Sequence, residues 1–236
     1  MPNVDPLTYI KTVLAKDFAA RSLPPRPKPS LVITLSRDYG AQGEAIAHGL
    51  ARSLTVPVFD QEILDQMAVR AKTDTFRFQA HDEQPHAGLS TFLYSLVSGN
   101  PSTLPDYRRH LCETVLEIAR EDSIIIGRGA HLILAGQRVF RLRVVGSASV
   151  CARRVALEFN LSQAEAEHKV DEINRRRNQA VAELFRGSVE RCSLEYADLF
   201  DLVINTDHIS AVGAVVVALQ ALREAGHIAE VPPCLA

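Results

Sequence analysis

The sequence predicts an α/β fold built on a five-stranded parallel sheet. Short apolar runs typical of buried strands recur along the 236 residues, and amphipathic helical patterns lie between them. Helical crossovers join consecutive strands in parallel, because such connections are right-handed. At roughly 150 residues per domain, the length corresponds to one large domain or to one domain with an insertion.

The composition is that of a globular protein and excludes several classes. Hydrophobic residues make up 47% and charged residues 23%, which excludes a disordered chain. The net charge of −2 gives no electrostatic case for nucleic acid or an anionic membrane as a partner. No apolar run reaches the ~20 residues of a membrane-spanning helix, and the N-terminus lacks the apolar core of a signal peptide. We therefore expect a cytoplasmic protein.

The cysteines point to the same compartment. Cys112, Cys151, Cys192 and Cys234 are spread along the chain, and no CxxC pair occurs. This spacing predicts free thiols in a reducing cytosol, not a disulfide framework or a zinc site.

Residues 1–29 are predicted to form an N-terminal helical arm and a proline-rich linker outside the main domain, which spans 30–236. Residues 5–20 carry apolar side chains near helical spacing. The prolines between 24 and 29 stop any helix and predict an extended linker. The arm is a candidate contact for a homodimer.

The first half of the domain predicts two strands, a helix and then a helical insertion. The runs 31–35 and 56–59 are the strands, and residues 44–54 place apolar side chains on one helical face. The insertion spans 61–122, with helices predicted over 62–72, 89–97 and 105–121. Its polar stretch carries metal-capable side chains without an HExxH pattern, so no metal site is expected; these are His81, Asp82, Glu83 and His86.

The second half predicts three more strands, over 123–126, 139–145 and 201–205. The core therefore comprises 30–60 and 123–230. Arg141 and Arg143 alternate with apolar residues, which predicts a polar strand face. The expected helix signals are Ser147 capping a helix to Phe159, a capping box at Ser162 and Glu165, and a last helix from Ser210 to Ala225 closed by Gly226.

The turn after the first strand is the first candidate functional site. A glycine-containing loop between a buried strand and a helix suits an anion, because amide N–H groups and the helix dipole meet there. Gly40 and Gly43 permit a tight path, although short glycine turns also join strands and helices without binding anything. The standard motif GxxxxGK[ST] is not matched, because Gly43 and Glu44 follow Gln42. Another cation must replace the lysine, and Arg37 is nearest in sequence, while Glu44 would repel a nearby phosphate.

Two further arginine motifs are candidates. Arg128 lies between two glycines after the third strand, where ligands of open α/β sheets bind; an ordinary surface arginine is the alternative. Arg175, Arg176 and Arg177 lie on or near a helix and cannot all share one face. They form either a solvated helix face or a lid that closes over transferring phosphates. Of the 26 basic residues only five are lysines, which is explained by coding bias or by a need for phosphate-binding guanidinium groups.

Taken together, four segments resemble the cytidylate kinase-like family, a divergent branch of the P-loop nucleoside monophosphate kinases. The segments are 33–47 (ITLSRDYGAQGEAIA), 58–64 (VFDQEIL), 125–130 (IIGRGA) and 201–207 (DLVINTD). Residues 174–182 (NRRRNQAVA) are similar to the lid of that family. The resemblance implies a P-loop NTPase-type three-layer α/β/α fold with sheet order 2-3-1-4-5. It also implies that the insertion binds the acceptor and that residues 160–190 form a lid.

The resemblance also implies a role for each site. Residues 36–43 would cradle the donor phosphates through Ser36, Arg37, Gly40, Ala41, Gln42 and Gly43. Asp60 and Arg128 would contact the acceptor nucleotide, and Thr206 and Asp207 would lie near the donor base. Arg175 to Arg177 would stabilise the transferring phosphoryl group, so the predicted catalytic residues are Arg37, Arg176 and Arg177.

The function that follows is phosphoryl transfer from ATP with Mg²⁺ to a small acceptor, most simply CMP or dCMP. Small-molecule nucleotides are then the partners, and no tightly bound cofactor is expected. A regulatory module of the same fold that binds nucleotide without turnover is the alternative. A structural protein that binds no nucleotide is a third.

Overall fold

A computed structural model describes residues 30–60, 104–187, 189 and 191–234, with the backbone alone at 104–107 and 110. The predicted arm over 1–29 lies outside these residues. So do the predicted helices over 62–72 and 89–97 and the polar stretch with His81, Asp82, Glu83 and His86. The domain boundaries and the homodimer contact therefore stay predictions.

The described residues form the predicted parallel sheet, with strand order β2-β3-β1-β4-β5. Its central strand pairs Leu35 with Ile126 on one side and with Leu142 on the other. The carboxyl ends of the strands therefore meet at one edge, which collects the loops that follow them. The strands are β1 (Val32–Arg37), β2 (Val58–Phe59), β3 (Ser123–Ile126), β4 (Phe140–Val145) and β5 (Leu202–Asn205).

The longer helices follow the predicted pattern closely, whereas the short helices over Ala130–Ile133 and Ala197–Leu199 were not predicted. The first begins one residue earlier than expected, at Gly43, and the helix predicted over 105–121 spans Leu104–Ile118. The helices are α1 (Gly43–Leu54), α2 (Leu104–Ile118), α3 (Ala130–Ile133), α4 (Ala148–Phe159), α5 (Gln163–Phe185) and α6 (Ala211–Glu224), with a short 3₁₀ helix over Ala197–Leu199.

Two of the three predicted N-caps form side-chain hydrogen bonds. Ser162 and Glu165 form the reciprocal capping box at the start of α5. Ser210 accepts from the amide of Gly213 at the start of α6. Ser147 occupies the N-cap position of α4, but its side chain makes no capping bond. Its own amide instead donates to Oδ1 of Asp207, which ties α4 to the end of β5.

Helices cover both faces of the sheet and give the three layers of the predicted fold. Alternation along β1 sends Ile33 and Leu35 to one core, with α1, α4 and α6, and Val32 to the other, with α2 and α3. Helix α5 contributes to both cores, through Val170 near its start and Phe185 at its end. Its middle turns therefore pass the carboxyl edge of the sheet.

The polar face predicted on β4 is present but does not lie in solvent at Arg143. The side chain is buried, and it makes an ion pair with Asp38 in the turn after β1. Its Nε also donates to the main-chain oxygen of Leu194. The alternation is real, but helices cover both faces of a parallel sheet, so a polar residue on the second face is buried and needs a partner.

Two further properties concern the described part of the chain. None of its helices is both long and apolar enough to cross a membrane. Its four cysteines are free, and Cys112 and Cys151 are buried, as the spacing of the cysteines predicts.

Candidate phosphate-binding site

The turn from β1 into α1 needs its first glycine for two reasons. Gly40 has φ of +79°, and a β-carbon there would stand 2.7 Å from the main-chain oxygen of Cys151. Gln42 is the N-cap of α1 with φ of 62°, a left-handed conformation that side chains other than glycine rarely adopt. Its side chain makes no capping hydrogen bond, and the first amides of a helix have no acceptor within it. The turn thus presents amide groups to an anion.

Arg37 runs along this turn and covers the second glycine. A β-carbon at Gly43 would stand 2.5 Å from Cβ and 2.6 Å from Cγ of Arg37. The guanidinium donates from Nε to Oε1 of Glu44 at 2.8 Å and from a terminal nitrogen to Oδ2 of Asp60 at 3.4 Å. Its other terminal nitrogen would stand 2.9 Å from a β-carbon at Gly127. One cation therefore spans the turn, the end of β2 and the turn after β3.

The turn after β3 is held in an unusual conformation. Gly127, Arg128 and Gly129 have φ of 75°, 56° and 67°, so three consecutive residues are left-handed. Only glycine adopts this conformation readily, and Arg128 pays a steric cost for it. A β-carbon at Gly129 would stand 2.3 Å from the Phe185 ring. Nε of Arg128 is buried, and no group of the described residues bonds it.

The middle of α5 packs against the turn after β1. Oδ1 of Asn174 accepts from the amide of Tyr39 at 2.7 Å. One turn later, Arg177 donates to the main-chain oxygen of Arg37 at 3.1 Å and lies 5.7 Å from the centre of the Tyr39 ring. A terminal nitrogen of Arg177 is 4.0 Å from Oε1 of Glu44.

The three consecutive arginines of α5 do not share one role. Arg177 is directed at the site, and its side chain is 19% exposed. Arg175 and Arg176 bind carboxylates one turn earlier on the same helix, Asp171 and Glu172, and are 56% and 41% exposed. This geometry confirms that the three cannot share a face: Arg175 and Arg176 lie on the solvated side of the helix, and Arg177 faces the turn after β1. The role of these arginines in a lid stays a prediction.

The charges around Arg37 perturb one another. Burial, and then the neighbouring Arg37 cation, lower the pKa of Arg177 to about 10. Burial opposes ionisation of Glu44, but the charge and hydrogen bond of Arg37 outweigh it and hold the pKa of Glu44 below its usual value. At neutral pH the cluster therefore carries two closely spaced cations bound to carboxylates.

Residue Thr206, directly after β5, fixes the turn between β1 and α1 by hydrogen bonds. The buried hydroxyl of Thr206 lies 3.2 Å from the main-chain oxygens of Ala41 and Val145 and can donate to either. Arg154 of α4 donates to the main-chain oxygen of Gly40 at 3.2 Å and to the Thr206 hydroxyl at 3.1 Å. These bonds make Thr206 and Arg154 positioning groups for the turn.

The structure gathers most of the predicted site residues at one edge of the sheet. The side chains of Arg37 and Arg177 lie against the turn, and Asp60 at the end of β2 bonds Arg37. Arg128 follows β3 at the same edge. Ser36 and Ala41 have buried side chains, so their contribution is through the main chain. Thr206 contacts the turn itself and Asp207 binds the Ser147 amide, so the predicted contact with a donor base stays untested.

Sequence reasoning missed four residues that support the site: Asp38, Arg143, Arg154 and Asn174. Arg143 was visible only as one position of an alternating strand, and Arg154 only as one arginine of a helix. Asn174 is adjacent to the arginine run, which was the one local signal available. The described residues hold no group of three or more His, Cys, Asp or Glu able to bind a metal ion.

The parallel sheet of order 2-3-1-4-5 with a glycine turn between β1 and α1 is the arrangement that the resemblance to the P-loop kinases implies. The particular family is shown by the sequence. The chain belongs to the cytidylate kinase-like family, whose profile matches residues 32–208. The resemblance stated from the motifs is thereby confirmed.

Three solved structures are similar to this chain. An uncharacterized protein from Eubacterium ventriosum has a TM-score of 0.59 at 17% identity, covering 81% of this chain and 97% of that chain. TT1252 from Thermus thermophilus has a TM-score of 0.48 at 19% identity, covering 84% of this chain and 98% of that chain. A shikimate kinase from Bacteroides thetaiotaomicron has a TM-score of 0.44 at 15% identity, covering 84% of this chain and 99% of that chain. At 17% identity, the likeness to the first of these concerns the fold alone. No curated protein sequence matches the chain.

Proposed function

We propose that this protein transfers the terminal phosphoryl group of ATP to a nucleoside monophosphate, most simply CMP or dCMP. Family membership supports the class of reaction. The observation that carries the proposal is the contact of Arg37 with Gly43. In the motif GxxxxGK[ST], the first glycine corresponds to residue 37 and the lysine to residue 43. In this chain the cation is at residue 37 and the glycine is at residue 43, so the two have exchanged places. The Arg37 side chain lies against Gly43, where the side chain of a lysine would begin.

This exchange keeps a cation at the turn. The Arg37 guanidinium lies within reach of Glu44 beside the first amides of α1 and of Asp60 at the end of β2. A phosphate held by those amides would therefore meet Arg37 in place of the lysine. The missing lysine is then no argument against phosphate binding.

The acceptor is assigned to the turn after β3 and to the insertion over 61–122. Arg128 stands in a strained conformation with a buried Nε that no described group bonds. Such strain and an unpaired donor are typical of a site that awaits a ligand. Arg128 and Asp60 are the proposed contacts of the acceptor nucleotide.

The protein's part in catalysis is positioning and charge stabilisation, since phosphoryl transfer asks for little covalent chemistry. Residues 36–43 hold the donor phosphates, and Arg37 and Arg177 stabilise charge on the transferring group. Thr206 and Arg154 keep the turn in place. Mg²⁺, bound with the nucleotide, would supply further charge neutralisation, and carboxylates at the site such as Asp60 suit a hard cation.

A regulatory module that binds nucleotide without turnover is the second candidate. The ion pairs of Glu44 with Arg37 and Arg177 favour it, because they neutralise two of the proposed catalytic cations. A panel of nucleoside monophosphates incubated with ATP and Mg²⁺ tests both. Formation of the diphosphate supports the kinase, whereas calorimetric binding of ATP without any turnover supports the regulatory module. Absence of both would contradict the two candidates together.

A further inference from the structure

One acidic side chain engages two of the cations that the proposed function assigns to phosphate. Oε1 of Glu44 accepts from Nε of Arg37 at 2.8 Å and lies 4.0 Å from a terminal nitrogen of Arg177. The two arginine side chains are mostly buried, whereas that of Glu44 is 51% exposed. The carboxylate is therefore the member of this cluster that has room to move.

The cluster needs an anion when no ligand is bound. Two buried guanidinium groups close to each other repel, and an uncompensated buried charge is costly. In the described part of the chain, Glu44 is the carboxylate that contacts both of them. Asp60 makes an ion pair with Arg37 at 3.4 Å, and Asp60 and Asp38 act on Arg177 by a weaker attraction than that of Glu44. Glu44 thus fills, in the free protein, the electrostatic role that a phosphate would fill in a complex.

Glu44 also stands where that phosphate would bind. It lies in the first turn of α1, beside the amide groups that the turn presents. A phosphate on those amides would come close to the carboxylate, and like charges a few ångströms apart repel strongly in a partly buried site. A phosphate on those amides would therefore be repelled by the carboxylate of Glu44 in its present position.

We propose that Glu44 is an internal competitor for this site, and that a polyphosphate must displace its carboxylate from Arg37 and Arg177 in order to bind. This inference rests on the proposed function, because it takes the site to be one for phosphate. Glu44 is then a specificity-determining residue. A ligand must carry enough negative charge to replace a carboxylate bound by two guanidinium groups, which favours polyphosphates over single phosphates.

Calorimetry of the full chain with inorganic tripolyphosphate, in buffer containing EDTA, tests the proposal without nucleotide or metal. Glu44→Gln keeps the size of the side chain and removes its charge. We expect tripolyphosphate to bind about three- to fivefold more tightly to this variant, the gain of losing a partly exposed competing ion pair. We also expect the preference for tripolyphosphate over orthophosphate to decrease.

Glu224→Gln is the matched control. It makes the same change of net charge and also removes a carboxylate that binds an arginine, Arg223, but on the last helix. Its affinity for tripolyphosphate should stay within about twofold of the wild-type value. Circular dichroism establishes that both variants are folded, and Glu44→Ala repeats the measurement with a different side chain.

An affinity of Glu44→Gln and Glu44→Ala equal to or weaker than that of the wild type would overturn the proposal, whatever the protein catalyses. If no form binds tripolyphosphate, the inference and the proposed function both fail. If the variants bind it more tightly but no nucleoside monophosphate is phosphorylated, the inference stands and the kinase proposal fails.

Discussion

The side chain of Arg37 lies against the α-carbon of Gly43, so closely that a β-carbon at residue 43 would stand 2.5 Å from Cβ of the arginine. The contact involves the rigid base of the arginine side chain, which cannot turn aside as its tip could. Glycine at 43 is therefore a requirement of arginine at 37. This dependence can be tested by stability alone, before any activity is known.

Gly43→Ala should lower the free energy of unfolding by about 1–3 kcal/mol, as overpacking of a tight site does. The same substitution in an Arg37→Gly background should cost little, because the clashing atoms are gone. Urea denaturation of the four proteins of this double-mutant cycle measures the coupling. Equal costs in both backgrounds would mean that the two residues do not depend on each other.

The exchange of cation and glycine predicts a rescue. Gly43→Lys alone should abolish tripolyphosphate binding, since the lysine cannot enter beside Arg37. Arg37→Gly together with Gly43→Lys restores the first glycine and the lysine of the standard motif and should recover binding to within about tenfold of wild type. Calorimetry measures the binding of tripolyphosphate to both variants. A double variant that binds as weakly as Gly43→Lys would show that the cation and the glycine cannot exchange positions.

Arg177 is the lid arginine expected to act on the transferring phosphoryl group. Arg177→Ala should lower kcat by at least about 10³-fold, the lower end of what an arginine at such a site contributes. Its effect on nucleotide Kd should be much smaller, because the charge it stabilises develops in the transition state. Single-turnover kinetics and calorimetry separate the two quantities.

The matched control for this prediction is Arg186→Ala at the end of the same helix, where the arginine pairs with Glu183 on an exposed surface. Its kcat should be that of the wild type within about twofold. Full turnover of Arg177→Ala would remove the arginine from the mechanism.

Arg128→Ala should weaken the acceptor and leave the fold intact. The guanidinium has a buried Nε without a described partner, so its removal breaks no internal bond there. A charge-assisted contact with a phosphate is worth about 1.5–3 kcal/mol, which predicts an increase of the acceptor KM of about ten- to a hundredfold. The melting temperature should change little, and an unchanged KM would refute the assignment.

Thr206 is expected to act on the turn rather than on chemistry. Thr206→Val keeps the shape but removes the hydroxyl, which leaves the Ala41 oxygen and Arg154 short of a partner. The free energy of unfolding should fall by about 1–3 kcal/mol. Thr206→Ser restores the hydroxyl and should recover most of this loss. Urea denaturation measures both, and equal stability of the valine and serine variants would contradict the anchoring role.

His131 makes stability depend on pH below neutrality. The ring is buried against Phe200, with centroids 4.9 Å apart, and burial, together with Arg143 and Arg141, lowers its pKa to about 4. The unfolded chain takes up a proton near pH 6.5, whereas the folded protein does not until about pH 4. The contribution of a neutral His131 is therefore present above pH 6.5 and is lost as the pH falls towards 4.

The contribution of His131 to the change of the unfolding free energy with pH cannot exceed that of one proton, about 1.4 kcal/mol per pH unit. His131→Phe keeps a ring beside Phe200 and removes the titration. Urea denaturation of both proteins from pH 7.5 to 4.5 should show the wild type losing stability relative to the variant. Parallel curves would show that His131 does not titrate differently in the folded and unfolded states.

Local signals accounted for the strands, for the longer helices and for the position of the glycine turn after β1. The apolar run before Ser36 and the glycines after it place a turn at the end of a buried strand. The capping box at Ser162 and Glu165 marks the start of α5 within one residue. These features depend on residues only a few positions apart, so short sequence patterns are enough to predict them.

The sequence by itself determined the strands, the longer helices and the edge of the sheet at which the glycine turns lie, because hydrophobic period and glycine conformation act over short range. Only the tertiary structure decided which arginines serve that edge. Arg143 is buried because helices cover its face of the sheet. Of the three consecutive arginines, Arg177 reaches the turn because the orientation of α5 about its own axis directs that side chain, and not the other two, towards the sheet edge. The exchange between Arg37 and Gly43 depends in the same way on how closely β1 and α1 approach, a packing distance that no pattern of residues records.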